Sequence, residues 1–213
     1  MTLSAKATEI HTQITKPGSK MGDLRNIAKE IKKDHALAME LWSYKSLMPR
    51  LLAILIMDKK ELGAETADNL LEDIQQHPFD ERMHLADWLM ANQLTKDKKT
   101  IAMIDSWKND PKPLKRRIFW YYQARLRWTG QTPPNNSEEL LADVEQHMAN
   151  EEPEVQWAMN FTTAWIGIWD PAHRDRCVKI GEKLGLYKDE MVAKNCTPNY
   201  LPDFITIEVE KRK

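Results

Sequence analysis

The sequence predicts an all-α protein built from helical hairpins stacked side by side, and three observations carry that prediction. Apolar residues recur three and four positions apart in nearly every segment, as in Leu24, Ile27, Ala28 and Ile31, or Leu85, Trp88 and Leu89, which is the period of a half-buried helix. Only seven glycines occur in 213 residues, about half of average usage, while Leu, Ala, Met, Lys and Glu abound. Breakers divide the periodic segments at Lys16-Pro17-Gly18, Met48-Pro49, His77-Pro78, Asn109-Asp110-Pro111, Thr129 to Asn136, Glu152-Pro153, Asp170-Pro171 and Thr197-Pro198. About ten helices with short connectors follow, the usual geometry of antiparallel neighbours. Strand-like alternation is confined to Ile205 to Val209, and the chain from about residue 197 reads as an irregular tail on a single domain spanning 1–213. With 42% hydrophobic residues the chain can bury a sizeable core.

An internal repeat refines the architecture. The segment from Asn109 to Ile118 lies on the segment from Asn150 to Met159 at a constant offset of 41, and the same offset pairs Trp128 with Trp169. In both copies an acidic, proline-containing turn feeds an amphipathic helix, and a weaker copy begins at His77-Pro78-Phe79-Asp80. A HEAT-like hairpin begins its second helix in this way. Such repeats bury only the faces between neighbours and curl into a superhelix whose second helices line a concave wall. On that wall Arg116 and Trp157 would hold corresponding positions, as would Trp120 and Phe161.

The formal net charge of -1 provides no global attraction for a polyanion, so any such partner must be recognised by local charge. The distribution is uneven: Lys96 to Arg127 holds ten basic residues against three acidic ones, between the acidic stretches Glu61 to Glu81 and Glu138 to Glu154. Within it, the helix expected over Leu114 to Trp128 sets Lys115, Arg116, Arg117, Arg125 and Arg127 among Phe119, Trp120, Tyr121, Tyr122 and Trp128. Helical spacing puts Arg117, Tyr121 and Arg125 on one side and Ile118, Ala124 and Leu126 on the buried one. Each aromatic here either fills the core or faces a ligand, and the basic residues either form a solvated face or contact phosphate. Eight tryptophans exceed what core filling usually needs, because an indole N–H must find a partner when buried. Basic residues interleaved with aromatics suit a phosphate backbone and exposed bases, so the candidate DNA-binding set is Lys115, Arg116, Arg117, Trp120, Tyr121, Arg125, Trp157 and Phe161.

Other chemistries find little support. The sequence has no glycine-rich phosphate loop, Gly-x-Ser-x-Gly, His-Glu-x-x-His or calcium loop, and its six histidines are scattered, so no metal site and no cofactor are expected. Cys177 and Cys196 are too far apart for a metal-binding pair and read as reduced thiols. The longest apolar run, Leu51 to Met57, is far short of the roughly 20 residues that span a bilayer. With no cationic-then-apolar leader, the expected location is cytoplasmic. Among the carboxylates, Asp80 and Asp87 sit beside aromatics, Phe79 and Trp88, just upstream of the basic stretch. Each is either a candidate for chemistry or an ordinary helix-start or surface aspartate.

The run Val155-Gln156-Trp157-Ala158-Met159-Asn160 with Ile166-Gly167, and the tail Cys196-Thr197-Pro198-Asn199-Tyr200-Leu201-Pro202-Asp203-Phe204-Ile205, resemble the AlkD-like DNA alkylation repair family. So do the early Gly22 to Lys29 segment and Leu41-Trp42, so the likeness runs over most of the chain. The resemblance implies a HEAT-like superhelix holding double-stranded DNA and, in active members, hydrolysis of the N-glycosidic bond of N3- or N7-alkylated purines. A carboxylate and tryptophan faces would stabilise the positive charge that develops on the deoxyribose as the base leaves neutral, with no metal or cofactor. It also implies that Arg116 faces the DNA backbone and that Asp87, or else Asp80, is the catalytic aspartate. The chain departs from the family pattern at Met83, where active members carry a tryptophan one turn before that aspartate, and at Phe161, which replaces a later tryptophan. Two other functions remain alongside excision: non-catalytic recognition of damaged or branched DNA by shape, and a protein-binding scaffold.

Overall fold

The computed structural model describes residues 3–212, and it is helical throughout, with no strand among those residues. Twelve α-helices of eight residues or more are described: α1 (Ala5–Ile14), α2 (Met21–Ile31), α3 (His35–Trp42), α4 (Leu47–Ile56), α5 (Ala64–Gln75), α6 (Phe79–Asn92), α7 (Lys98–Asp105), α8 (Pro113–Trp128), α9 (Ser137–His147), α10 (Pro153–Trp169), α11 (Arg174–Leu184) and α12 (Leu201–Glu210). The breakers account for most boundaries. Pro113, Pro153 and Pro202 stand in the first turns of α8, α10 and α12, where a missing N–H costs nothing. Ser4, Asp34 and Asp97 cap α1, α3 and α7 by accepting backbone N–H bonds.

The chain divides into two compact units between Ser106 and Trp107. In the first, α4 is the central helix, with Leu51, Leu52, Ala53, Ile54 and Ile56 fully buried against α2, α3 and α6. A charged side chain is buried with them. Arg50 on α4, 2% exposed, lies 4.6 Å from the Trp42 ring. It donates to the carbonyls of Trp42 at 3.3 Å and Asp73 at 2.8 Å. It also donates to His77 Nε2 at 2.8 Å. An arginine has no acceptor to offer, so Nε2 carries the lone pair and His77 Nδ1–H donates to Glu81 at 2.7 Å. Trp42 Nε1 donates to the Asp73 carboxylate at 2.6 Å, so one network joins α3, α4, α5 and α6.

In the second unit α8 and α10 lie alongside each other, with α9, α11 and α12 packed on α10. This is the neighbour relation that the 41-residue repeat predicts for second helices. Thr162 on α10 donates to the Trp120 carbonyl at 2.6 Å, and Ile118, Trp120, Val155 and Ile166 fill the space between helices. Arg127, 1% exposed, donates to the Gln123 carbonyl, Asn136 Oδ1 and Ser137 Oγ, and burial pulls its pKa down to about 10.

The C-terminal segment corrects the sequence reading. The alternation at Ile205 to Val209 is not a strand, and the chain from 197 is not an irregular tail throughout, because α12 runs from Leu201 to Glu210. Leu201, Phe204 and Ile205 are buried, three and four apart, and α12 packs on α10 and α11. Glycine permits the contact with α11: a Cβ on Gly181 would stand 2.6 Å from Leu201 Cβ and 2.7 Å from Pro202 Cδ. Gly181→Ala is therefore expected to cost about 1–3 kcal/mol by forcing α12 away. Urea unfolding followed by circular dichroism measures this, and an unchanged midpoint would show that α12 contributes nothing to stability.

Candidate nucleic-acid interface

One face of the second unit brings six aromatic rings together. Trp157, Phe161 and Trp165 follow one another at four-residue steps on α10, as Arg117, Tyr121 and Arg125 do on α8. Packing α8 on α10 makes the two rows meet. The Trp157 and Phe161 rings stack at 5.0 Å and 14°. Tyr121 sits against both, 5.9 Å from Trp157 and 5.6 Å from Phe161, and reaches Trp128 at 6.1 Å. Trp128 in turn lies 6.1 Å from Phe161 and 6.5 Å from Trp165, and Phe204 of α12 meets Phe161 edge-on at 5.8 Å. Six rings from three helices form a continuous patch. Tyr121, Trp157 and Phe161 are partly exposed, and Trp128 is 41% exposed.

Three guanidiniums lie on these rings. Arg117 is 5.0 Å from the Trp157 centroid and 5.6 Å from that of Tyr121, Arg125 is 5.6 Å from Trp128, and Arg212 is 4.8 Å from Trp165. Each contact places a cation on the negative face of a ring and supplies roughly 0.5–2 kcal/mol, depending on its desolvation. Arg212 is aimed by Glu208, which accepts its Nη1 bond at 2.6 Å. Burial would raise the Glu208 carboxyl, but bonds from Lys211, Arg212 and Thr197 outweigh it and hold the pKa at about 2. Beside Arg117, the Tyr187 hydroxyl is pushed up to about 12 by burial and by Glu190, against the pull of Arg117.

The candidate residues divide. Tyr121, Arg125, Trp157 and Phe161 lie on the patch. Arg117 belongs to it through its ring contacts, although it is 3% exposed and donates to the Glu154 carbonyl at 3.0 Å. Lys115, Arg116 and Trp120 are engaged elsewhere, contrary to their placement on an open wall. Lys115, 8% exposed, lies 3.3 Å from the Asp110 carboxylate and 5.4 Å from the Trp107 ring. Arg116 donates to both Glu151 oxygens, at 3.1 and 2.7 Å, and to the carbonyls of Asp110 and Pro111. Trp120, 3% exposed, is a core residue packed edge-on against Phe119. The acidic turns that precede α8 and α10 bring Asp110 and Glu151 within reach of the basic start of α8, and an ion pair with directed N–H bonds is the outcome.

The two aspartates lie in the first unit, on α6, and the arginine–aromatic patch lies in the second. Asp80 is exposed in the first turn of α6. Asp87 is partly buried, one residue before Trp88, whose indole donates to the Leu51 carbonyl at 3.2 Å and carries the Arg25 guanidinium at 5.2 Å. Among the described residues, no three His, Cys, Asp or Glu side chains are grouped to hold a metal ion, and no helix is long and apolar enough to cross a membrane.

The sequence reading missed Trp128, Trp165, Phe204 and Arg212 as members of the patch. The signal for Trp165 was the Trp157, Phe161, Trp165 step on α10; Phe204 and Arg212 depend on where α12 docks, which has no local signature. The clasp on Arg212 also has a pH signature. Because the Glu208 pKa is depressed in the folded chain, the clasp is fully present above the ordinary glutamate value of 4.5 and is lost as the pH falls through about 2. A tryptophan emission change in that window is expected in the wild type and absent in Glu208→Gln; the same change in both proteins would assign it to another carboxylate.

Comparison with known proteins agrees with this architecture. A family model described as DNA alkylation repair enzyme matches residues 7–184. A solved structure, from a family of proteins related to the HEAT-like repeat DNA glycosylases with affinity for branched DNA structures, superposes with a TM-score of 0.70 at 18% sequence identity, covering 99% of this chain and 90% of the other. At that identity the likeness shows the fold, which is HEAT-like and all-α. No curated protein matches the chain. The family match extends over well more than half of the sequence, and the chain belongs to the DNA alkylation repair enzyme family.

Proposed function

We propose that this chain is a DNA-recognition protein that binds branched or damaged DNA through the arginine–aromatic patch of α8, α10 and α12. The observation that carries the reading is the set of three guanidiniums laid over four of six contiguous rings, with Trp128 and Arg125 partly exposed at its edge. Cations beside ring faces match the two features that every nucleic acid presents, a phosphate backbone and flat bases. Membership of the family supports DNA as the partner, and the solved relative's affinity for branched DNA supports a substrate other than an uninterrupted duplex.

Arg125 is partly exposed and lies on the Trp128 ring, while Arg116 is tied to Glu151. Arg125→Ala is therefore expected to weaken DNA binding and to lower the salt slope of log K by about 1, whereas Arg116→Ala should leave that slope unchanged and lower stability instead. Fluorescence anisotropy with labelled DNA across a salt series measures both. An effect of Arg116 and none of Arg125 would move the interface to the start of α8.

A second reading, excision of N3- or N7-alkylated purines, has one observation in its favour. Asp87 adjoins Trp88, so a carboxylate and an indole occupy the same stretch of α6. In that reaction water adds to C1′ of the deoxyribose, the N-glycosidic bond breaks, and the alkylated base leaves neutral with the bonding electrons. Asp87, or alternatively Asp80, would stabilise the positive sugar electrostatically. Against it stands Met83, which provides no ring face one turn before Asp87. The binding-only reading predicts no free base from duplex DNA carrying N7-methylguanine or N3-methyladenine under single-turnover conditions. Base release that Asp87→Asn or Asp80→Asn abolishes would establish the glycosylase and name its carboxylate.

A further inference from the structure

The composition of the patch restricts its ligand more narrowly than DNA in general. Guanidiniums already lie on Trp157, Tyr121, Trp128 and Trp165 at 4.8–5.6 Å, so the attraction that a ring quadrupole offers to a cation is used within the chain. An N-alkylated purine, which carries a positive charge, would meet these arginines as a like charge at short range. A neutral base meets no such penalty, and its phosphate gains from the same arginines. What remains open is apolar ring surface, above all on Trp128, which is 41% exposed.

In a continuous duplex both faces of every base are covered by their neighbours, so an exposed indole has no base to stack on. An unpaired nucleotide has a free face. A second observation points to the same ligand. Trp165 is 7% exposed, lies under Arg212, and its Nε1–H has no acceptor among the described residues. A buried indole donor without an acceptor is unusual, and a base or phosphate oxygen entering as Arg212 turns toward a phosphate would satisfy it.

We propose that the Trp128, Tyr121, Phe161 and Trp165 cluster is a stacking site for an unpaired, uncharged base, with Arg125 and Arg212 taking the adjoining phosphates. The assignment rests on the DNA-binding reading above. It gives a structural reason for preferring branch points, where unpaired nucleotides occur, and it excludes a cationic lesion as the feature that this face reads.

The test titrates the full chain with three labelled DNAs of equal length: a continuous duplex, the same duplex with splayed, unpaired arms, and a duplex carrying N7-methylguanine. Stacking of one base on an aromatic side chain is worth about tenfold in affinity, so the splayed DNA is expected to bind about tenfold more tightly than the continuous duplex, with quenched tryptophan emission. The methylated duplex is expected to bind like the unmodified one. Trp128→Leu should remove the advantage of the splayed DNA while leaving helical content unchanged, and Trp128→Phe should restore part of it. Equal binding of splayed and continuous DNA by the wild type would overturn the stacking site while DNA binding stands. A methylated duplex that binds more tightly would overturn the exclusion of cationic bases. No binding to any of the three would overturn both this assignment and the reading on which it rests.

Discussion

The second unit depends on how a helix rich in arginine and tryptophan can be buried at all. α8 carries five cationic side chains in sixteen residues and packs along α10, so most of these charges leave water when the helices meet. An unpaired buried guanidinium would cost more than any ring contact returns. The helix pair meets the constraint in three ways along its length. At its start, Asp110 and Glu151 neutralise Lys115 and Arg116; in the middle, the Glu154 carbonyl and two ring faces receive Arg117; at its end, Gln123, Asn136 and Ser137 take Arg127. Arg125 alone of the α8 arginines lies on a ring at a partly exposed position, which is why the open surface begins there.

The same constraint is met in the first unit by different residues. Arg50 is nearly inaccessible, and Trp42, Asp73 and His77 receive it through two carbonyls, a ring face, a carboxylate and a ring nitrogen. This is a structural arrangement: every donor points inward, and nothing is presented to a ligand. The contrast separates two kinds of cation–ring contact that look alike in a sequence. Around Arg50 the ring belongs to a closed network, whereas around Arg125 and Arg212 it belongs to a patch that continues to an exposed tryptophan.

Helical periodicity and prolines make the helices legible in the sequence, because both act within a few residues of the chain. The 41-residue offset also carried real information: it placed α8 and α10 as equivalent neighbours, and their packing is what brings Tyr121 against Phe161. The choice between buried and exposed faces was less legible. Arg117, Tyr121 and Arg125 share a side of α8 as their spacing requires, but Arg116 is diverted by Glu151, 35 residues away, and Trp120 by the close approach of α10. Neither partner is visible in a window of local sequence. α12 was misread because a stretch rich in β-branched residues alternates like a strand, whereas tertiary contact with α10 and α11 selects the helix.

A net charge of -1 now has a consistent physical account. The acidic segment Glu138 to Glu154 is not bulk compensation, since its Glu139, Asp143 and Glu151, together with Asp110, pair with Lys108, Lys115 and Arg116. Burial alone would lower the Lys108 pKa, yet its bonds to Asp143 and Glu139 raise it, so this cation is held in its charged form by partners inside the chain. Outside these pairs, Arg125 rests on the Trp128 ring at a partly exposed position. A face of that kind binds a polyanion weakly through charge alone, because few phosphates are neutralised and few counterions released. Its affinity has to come from ring surface, and ring surface is sensitive to whether a base is free to stack. On the proposed reading, selectivity for the form of the DNA over its amount of charge would follow from the near-neutral composition, and the acidic turns would suppress unspecific binding.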